Sequence, residues 1–194
     1  MAANSGATQK SFQQPARTAS AAIKLEPLRD GTDGTKQSLE VMVRAVAGQV
    51  PPDFSGFNDP YNRALAQSVV GGSDDPVNAL FQFVRDGIRY VEHPINLQVV
   101  KDCPRLVESG EGDCVSKSVC LATLLTAIGY TPRFVAQDPD GHGFSHVYVE
   151  VEMGAGDWIA LDPTADGQGG RPLGGVGWRQ ALPLDGVEFV QPIF

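Results

Sequence analysis

Long apolar segments and clusters of positive charge are both missing from this sequence. No run of about 18 apolar residues occurs, and the first 22 residues hold no apolar stretch of signal-peptide length. The 15 basic residues are scattered singly among 23 acidic ones, which gives a formal net charge of -8. Because phosphate backbones and anionic membranes bind basic patches, we expect neither nucleic acid nor a membrane among its partners.

Cysteine is scarce as well. Only three are present, Cys103, Cys114 and Cys120. An odd number, at spacings that match neither CxxC nor a disulfide framework, predicts free thiols and favours a reducing compartment. We therefore expect a cytoplasmic protein.

Two stretches of the chain differ in composition. Residues 1–21 are rich in Ala, Ser, Thr and Gln without periodicity, which predicts a flexible N-terminal tail. The chain as a whole is 42% hydrophobic, which is ordinary for a globular protein, and it is long enough to bury a sizeable core. We predict a single domain over residues 22–194.

Apolar spacing and turn residues predict a largely helical first half and a strand-rich second half. The predicted helices are 37–48, 60–70, 76–87 and a buried one from Cys114 to about Gly129. The predicted strands are 22–28, 88–91, 133–137, 146–152, 158–161 and 187–190. A long loop is expected from 92 to 112. This order predicts an α+β fold, with helices packed on an antiparallel sheet.

Cys114 is the first candidate for chemistry because it stands in the first turn of the buried helix. Unpaired N–H groups and the positive end of the helix dipole stabilise a thiolate there, so we expect its pKa to be lowered. The same N–H groups could hold an oxyanion. A lone cysteine at a helix start is nevertheless more often structural. We expect Cys120 to pack as a small apolar residue inside the helix and Cys103 to lie in a loop.

A histidine and an aspartate are predicted to meet across a hairpin. Residues 146–152 alternate strictly, which puts His146 on one face and Val147 on the other. If the turn to the next strand centres on Gly154, His146 lies opposite Asp162. A carboxylate beside an imidazole fixes its tautomer and stabilises its charged form. Of the other histidines, His142 in a Gly-rich loop is the rival base and is predicted to be a loop residue. His93, which precedes a proline, is predicted to be a structural or surface residue.

Several segments together resemble the core of the transglutaminase-like superfamily. They are Gly112-Asp113-Cys114, the helix end Ile128-Gly129-Tyr130, Arg133-Phe134-Val135, the histidine strand 146–151 and Trp158-Ile159-Ala160-Leu161-Asp162-Pro163-Thr164. The stretch Phe83–Tyr90 is similar to the helix and tyrosine that lead into this core. The resemblance covers about residues 76–165, and the layout looks most like compact transglutaminase-like proteins of bacteria and their phages.

This resemblance implies a papain-like α+β fold and acyl transfer through a thioester. Carried over to matching positions, Cys114 is the nucleophile, His146 the base and Asp162 its orienter, and Gln98 is the candidate that helps the oxyanion hole. No cofactor is implied. The partner is a protein or peptide substrate. Compact relatives often have acidic residues after the cysteine, where Val115-Ser116-Lys117 stand here, so substrate preference is not carried over.

Other readings compete with a hydrolytic or transamidating enzyme. The fold could serve as a structural or interaction module in a virion or another protein assembly, with a virion location if the gene is phage-encoded. A metal protein is less favoured because Cys114 and His146 lack ligand spacing. The Gly-rich stretch 173–177 lacks the Lys-Ser/Thr of a phosphate loop.

Overall fold

The computed structural model of the chain describes residues 22–25, 32–50, 54–92, 98–137, 145–165 and 179–183. The elements follow in the order β1 (Ala22–Leu25), α1 (Thr32–Val46), α2 (Pro60–Val70), α3 (Pro76–Gly87), β2 (Arg89–Tyr90), β3 (Gln98–Lys101), α4 (Cys103–Ser109), β4 (Glu111–Gly112), α5 (Cys114–Ala127), β5 (Pro132–Gln137), β6 (His146–Glu152), β7 (Trp158–Leu161) and β8 (Arg179–Pro183). The mixture of helices and antiparallel strands is the α+β fold that was predicted.

Aspartates define where four of the helices begin. Asp59, Asp75, Asp102 and Asp113 each precede a helix and accept a hydrogen bond from a backbone N–H of its first turn. This is the favoured capping arrangement, and a proline in the first turn of α2, α3 and α4 adds to it because its fixed φ suits a helix start. The Asp-Pro pairs at 59–60 and 75–76 are therefore the reason why the starts of α2 and α3 could be predicted from the sequence. Helix α4 was missed, and it occupies part of the predicted long loop.

Helix α5 lies at the centre of the molecule. Every residue from Val115 to Leu125 is buried, including polar ones, and α1 to α4 and the strands β5 and β6 pack around it. Its apolar residues therefore lie on all sides of the helix rather than in one stripe along it. Gly129 ends it with φ of 94°, a left-handed conformation that glycine adopts without strain. The start at Cys114 and the stop at Gly129 agree with the predicted helix.

The main sheet has four antiparallel strands in the order β7-β6-β5-β8. One face of β6 carries Val147, Val149 and Val151, which join the main core, while Tyr148 on the other face packs in a small separate cluster with Val135. The alternation that was predicted for residues 146–152 is thus confirmed. Both faces are buried, so the alternation sorts side chains into two buried layers rather than into core and solvent.

Two small strand pairs flank the main sheet. β1 pairs antiparallel with β3, and β2 pairs parallel with β4. Together β3, α4 and β4 replace most of the loop that was expected between 92 and 112. Local periodicity is too short to show elements of two to seven residues.

Several predicted features fall on other parts of the chain. The tail 1–21, the last strand 187–190, His93 and His142 lie outside the described residues. Across the described ranges, no helix combines the length and apolar character that crossing a membrane requires.

Candidate active site

Cys114 is the first residue of α5, as predicted. Asp113 caps the helix, and its Oδ1 accepts from the N–H of Ser116 at 2.8 Å. Gly112 precedes the capping residue. A side chain at this position would be too close to α4, since a Cβ would lie 2.4 Å from Leu106 Cδ1. The glycine therefore leaves room for the buried Leu106 side chain of α4.

The thiol of Cys114 contacts backbone N–H groups of two elements. It accepts hydrogen bonds from Val147, the residue after His146, and from Val115 of its own helix. Burial nevertheless raises the pKa of Cys114 to about 12, and the charge of neighbouring Asp113 adds to that increase. The predicted lowering of this pKa is therefore wrong, because loss of hydration and a nearby carboxylate outweigh the helix start.

His146 and Asp162 are hydrogen-bonded, as predicted. His146 Nε2 lies 2.6 Å from Asp162 Oδ2. The hairpin pairs Val149 with Leu161 and Glu150 with Ala160, which centres the turn on Ala155, one residue later than predicted. The two side chains are thus diagonal neighbours. Moving the centre of the turn by one residue changes the residue opposite His146 by two positions along the other strand. Side chains two positions apart point to the same face of a sheet, so His146 and Asp162 still lie on one face.

Thr164 holds the other oxygen of this aspartate. Asp162 Oδ1 accepts from the backbone N–H of Thr164 at 2.9 Å and from its hydroxyl at 2.8 Å. With His146 on Oδ2, both carboxylate oxygens have partners, and Asp162 is fully buried. Sequence reasoning did not assign Thr164 a role. An aspartate followed two residues later by threonine is the signal that could have found it, since Asx turns use this spacing.

A line of polar side chains continues from His146 along the same face of β6. The ring of Tyr148 stacks on His146 at 6.2 Å between centroids, and its hydroxyl lies 3.4 Å from Glu150 Oε1. Arg133 of β5 donates to Glu150 Oε2 at 2.6 Å and covers the ring of Trp158. These contacts fix the orientation of the strand that carries the histidine.

Two serines of α5 attach the helix to neighbouring strands. Ser118 donates to the carbonyl oxygen of Val147 at 3.2 Å, which holds the cysteine-bearing helix against the histidine-bearing strand. Ser116 donates to the carbonyl oxygen of Val99 at 3.1 Å and accepts from the N–H of Lys101. Strand β3 therefore lies beside the start of α5. Gln98 is the first residue of β3, and its side chain lies outside what the structure describes.

The other two cysteines form a disulfide. Cys103 begins α4, Cys120 lies in α5, both are fully buried, and their sulfur atoms are 2.08 Å apart. The expectation of three free thiols is wrong, as is the placement of Cys103 in a loop. The pairing joins two helices through tertiary contact, which spacing alone could not show. With two of the three cysteines bonded, the cysteine pattern no longer favours a reducing compartment.

Lys117 and Tyr90 are near the site and were not predicted to be. The Lys117 ammonium is buried and donates to the carbonyl oxygens of Ile88 and Arg85 at 2.7 and 3.1 Å. Burial lowers its pKa to about 8. Tyr90 is 47% exposed, and its partial burial, followed by negative charge on neighbouring Cys114, raises its pKa to about 12. Neither residue stands in a motif that would have drawn attention to it.

No group of three or more His, Cys, Asp or Glu side chains within the described ranges could hold a metal ion. The polar groups around Cys114 are instead hydrogen-bond donors and one partly buried imidazole–carboxylate pair. This set suits proton transfer and nucleophilic attack by a thiol rather than ligation of a cation.

One solved structure shares this arrangement of helices and strands. A crystal structure of an inferred protease from Parabacteroides distasonis ATCC 8503 matches with a TM-score of 0.57 at 14% identity, over 90% of this chain and 40% of that one. An inferred cysteine protease from Cytophaga hutchinsonii has a TM-score of 0.48 at 16% identity, over 89% and 53% of the two chains. The chain thus spans about half or less of either structure. No curated protein matches it in sequence.

A family model gives the more specific result. The model described as the transglutaminase-like superfamily core matches residues 63–163, which is more than half of the chain. The matched range runs from α2 to the residue after Asp162, so it contains Cys114, His146 and Asp162 in that order. The α+β fold agrees with this match, and the chain belongs to the transglutaminase-like superfamily.

Proposed function

We propose that this protein is a thiol acyl-transfer enzyme that acts on a peptide or carboxamide bond. Cys114 is the nucleophile, His146 the base and Asp162 the group that orients the base. The observation that carries the proposal is the 2.6 Å contact between His146 and Asp162, beside a Cys114 thiol that is hydrogen-bonded to the N–H of Val147. This is the nucleophile, base and orienter arrangement that covalent catalysis requires.

The raised pKa of Cys114 determines how the thiol would be activated. The resting thiol keeps its proton at neutral pH, so the proton leaves as Cys114 attacks the carbonyl carbon. His146 uses Nε2 for Asp162, and Nδ1 is therefore the nitrogen that accepts this proton. The buried Asp162 carboxylate stabilises the imidazolium that forms.

The start of α5 supplies donors for the oxyanion of the tetrahedral intermediate. The N–H groups of Ser116 and Lys117 donate to Asp113 and that of Val115 donates to the Cys114 thiol, so the N–H of Cys114 is the donor that the helix start offers. Gln98 on the adjacent strand β3 remains our candidate for a further donor. Collapse of the intermediate passes the proton to the leaving amine and leaves a thioester on Cys114.

Water or a second amine resolves the thioester. Attack by water gives a protease or amidase, and attack by a lysine amine gives a crosslink. In both cases His146 takes a proton from the attacking group and the Cys114 sulfur is released as the thiol.

The alternative is a non-catalytic interaction module, for example a component of a virion. The raised pKa of Cys114 favours this alternative, because most catalytic cysteines have a lowered pKa. A site whose imidazole and carboxylate are already hydrogen-bonded favours the enzyme, and we therefore rank the enzyme first.

The direct test is acylation of the protein by an activated acyl donor, followed by intact mass with and without added amine. We expect wild type to form an adduct, Cys114→Ala and His146→Ala to form none, and Asp162→Asn to react about 10⁴-fold more slowly because the amide misplaces the imidazole tautomer. Adduct formation by Cys114→Ala would contradict the proposal. No adduct on wild type with any donor would favour the interaction module.

A further inference from the structure

A cavity of about 710 Å³ shares a wall with the candidate active site. It lies between the C-terminal end of α3 and the segment after β7. The residues that matter for its chemistry are Arg85, Asp86, Arg89, Tyr90, Lys117 and Thr164. Thr164 belongs both to the cavity wall and to the contacts of Asp162, so this residue links the cavity to the imidazole–carboxylate pair.

The charges that line this cavity are opposite in sign to those of the whole chain. Three cationic side chains face one carboxylate, that of Asp86, whereas the chain carries a formal net charge of -8. A locally positive wall in an acidic protein attracts anionic groups and disfavours cationic ones.

Lys117 is the central cation of the wall. Its side chain is 2% exposed, and its ammonium makes two hydrogen bonds, both to carbonyl oxygens at the end of α3. An ammonium has three N–H donors, so among the described residues one donor of Lys117 is left without an acceptor. A buried charged donor without an acceptor is costly, and a carboxylate in the cavity would satisfy it.

The two arginines frame the cavity from positions nearer to solvent. Arg85 is paired with Asp86, and Arg89 is paired with Glu111 across the short β2–β4 pair. The Arg89–Glu111 pair is exposed and therefore weak and partly screened, so the Arg89 guanidinium still contributes positive potential to the cavity.

We infer that the cavity is a substrate subsite for a carboxylate group, either an acidic side chain or a free C-terminal carboxylate of a peptide. The inference builds on the proposed acyl transfer at Cys114 and gives it a substrate class, acidic peptides. The carboxylate accepts a hydrogen bond from the remaining N–H of Lys117. Arg89 in the cavity wall supplies a second positive charge.

The test is a binding measurement that does not depend on turnover. Cys114→Ala protein is titrated calorimetrically with two series of peptides: one carries Glu or Gln at each position in turn, the other ends in a free carboxylate or a carboxamide. We expect the acid to bind at least about tenfold more tightly than its amide partner in one series, since a hydrogen bond to a charged group is worth this much. The series that shows the difference identifies the source of the carboxylate.

Charge variants sharpen the test. Lys117→Met should abolish the preference for acid. Should that variant fail to fold, two exposed positions give opposite expectations: Arg89→Gln should reduce the preference and Glu111→Gln, which releases Arg89, should increase it. Arg63→Gln, an exposed arginine of α2 outside the cavity wall, is the matched control and should change nothing.

Equal binding of acid and amide in both series, or no binding of either, overturns the inference. So would loss of the preference in Arg63→Gln. The proposed function fails separately, by absence of acylation on wild-type Cys114, so the two failures can be told apart.

Discussion

Single side chains decide whether Cys114 can react. Its thiol lies where backbone N–H groups favour a thiolate, yet burial and the carboxylate of Asp113 raise its pKa to about 12. Asp113 has two opposing effects, because it caps the helix that presents the cysteine and repels the charge that the cysteine would acquire. The consequence is a nucleophile that depends on its base.

The charge of Asp113 can be removed while its cap is kept. Asparagine caps a helix as well as aspartate does, so Asp113→Asn should leave α5 intact and lower the pKa of Cys114. Each pKa unit changes the thiolate fraction tenfold, and we expect iodoacetamide to alkylate the variant about three to ten times faster than wild type at pH 8. Asp75→Asn, at the start of α3, is the control and should leave the rate unchanged.

The pH profile of wild-type alkylation follows from the same raised pKa. The rate should continue to rise above pH 9, the ordinary value for a thiol, because the folded site retains its proton there. A rate that levels off near pH 7 would show a thiolate already formed beside His146 and would contradict the raised pKa.

Contacts between elements explain why some glycines cannot be replaced. The turn after α1 approaches the segment before α2 so closely that a Cβ on Gly56 would lie 2.4 Å from the backbone nitrogen of Gly48. Backbone atoms cannot rotate away as a side chain can, so the two segments would have to separate.

We therefore expect Gly56→Ala to lower the free energy of unfolding by about 2 kcal/mol or more. Gly87→Ala is the matched control at the end of α3, where a Cβ meets nothing within 4 Å, and its effect should stay within about 0.5 kcal/mol. Urea unfolding of both variants measures the difference, and equal values would contradict the close approach of the two segments.

The described part of the molecule is organised around α5, which contacts the helices α1 to α4 and the strands β5 and β6 of the main sheet. The disulfide attaches α4 to this helix and closes a loop over a sequence separation of 17 residues. Cys114 then remains as the free thiol of the three. Removal of the bond should affect the stability of the entire fold rather than the site alone.

We expect maleimide labelling under denaturing conditions to add one group to the unreduced protein and three after reduction. The double variant Cys103→Ala/Cys120→Ala should lose about 3 kcal/mol of stability, the usual size for a closed loop of this length. Three labels without reductant would contradict the disulfide.

Much of the candidate site could be predicted because its signals are local. Helix caps, helical and strand periodicities and the Gly-rich turn lie within a few residues of the positions that they control. They were sufficient to place Cys114 at a helix start and to bring His146 of β6 together with Asp162, the residue after β7. The predicted turn centre was wrong by one residue, but the predicted contact between His146 and Asp162 was still correct because both side chains stay on the same face of the sheet.

Chain segments far apart in sequence decided the remaining features. The Cys103–Cys120 bond, the carbonyl oxygens that hold Lys117 and the short strands β2 and β4 all depend on which segments pack together. The direction of the Cys114 pKa shift is of the same kind. A helix dipole can be read from one turn of sequence, whereas desolvation is the sum of everything that packs around the thiol, and only the tertiary structure fixes that sum.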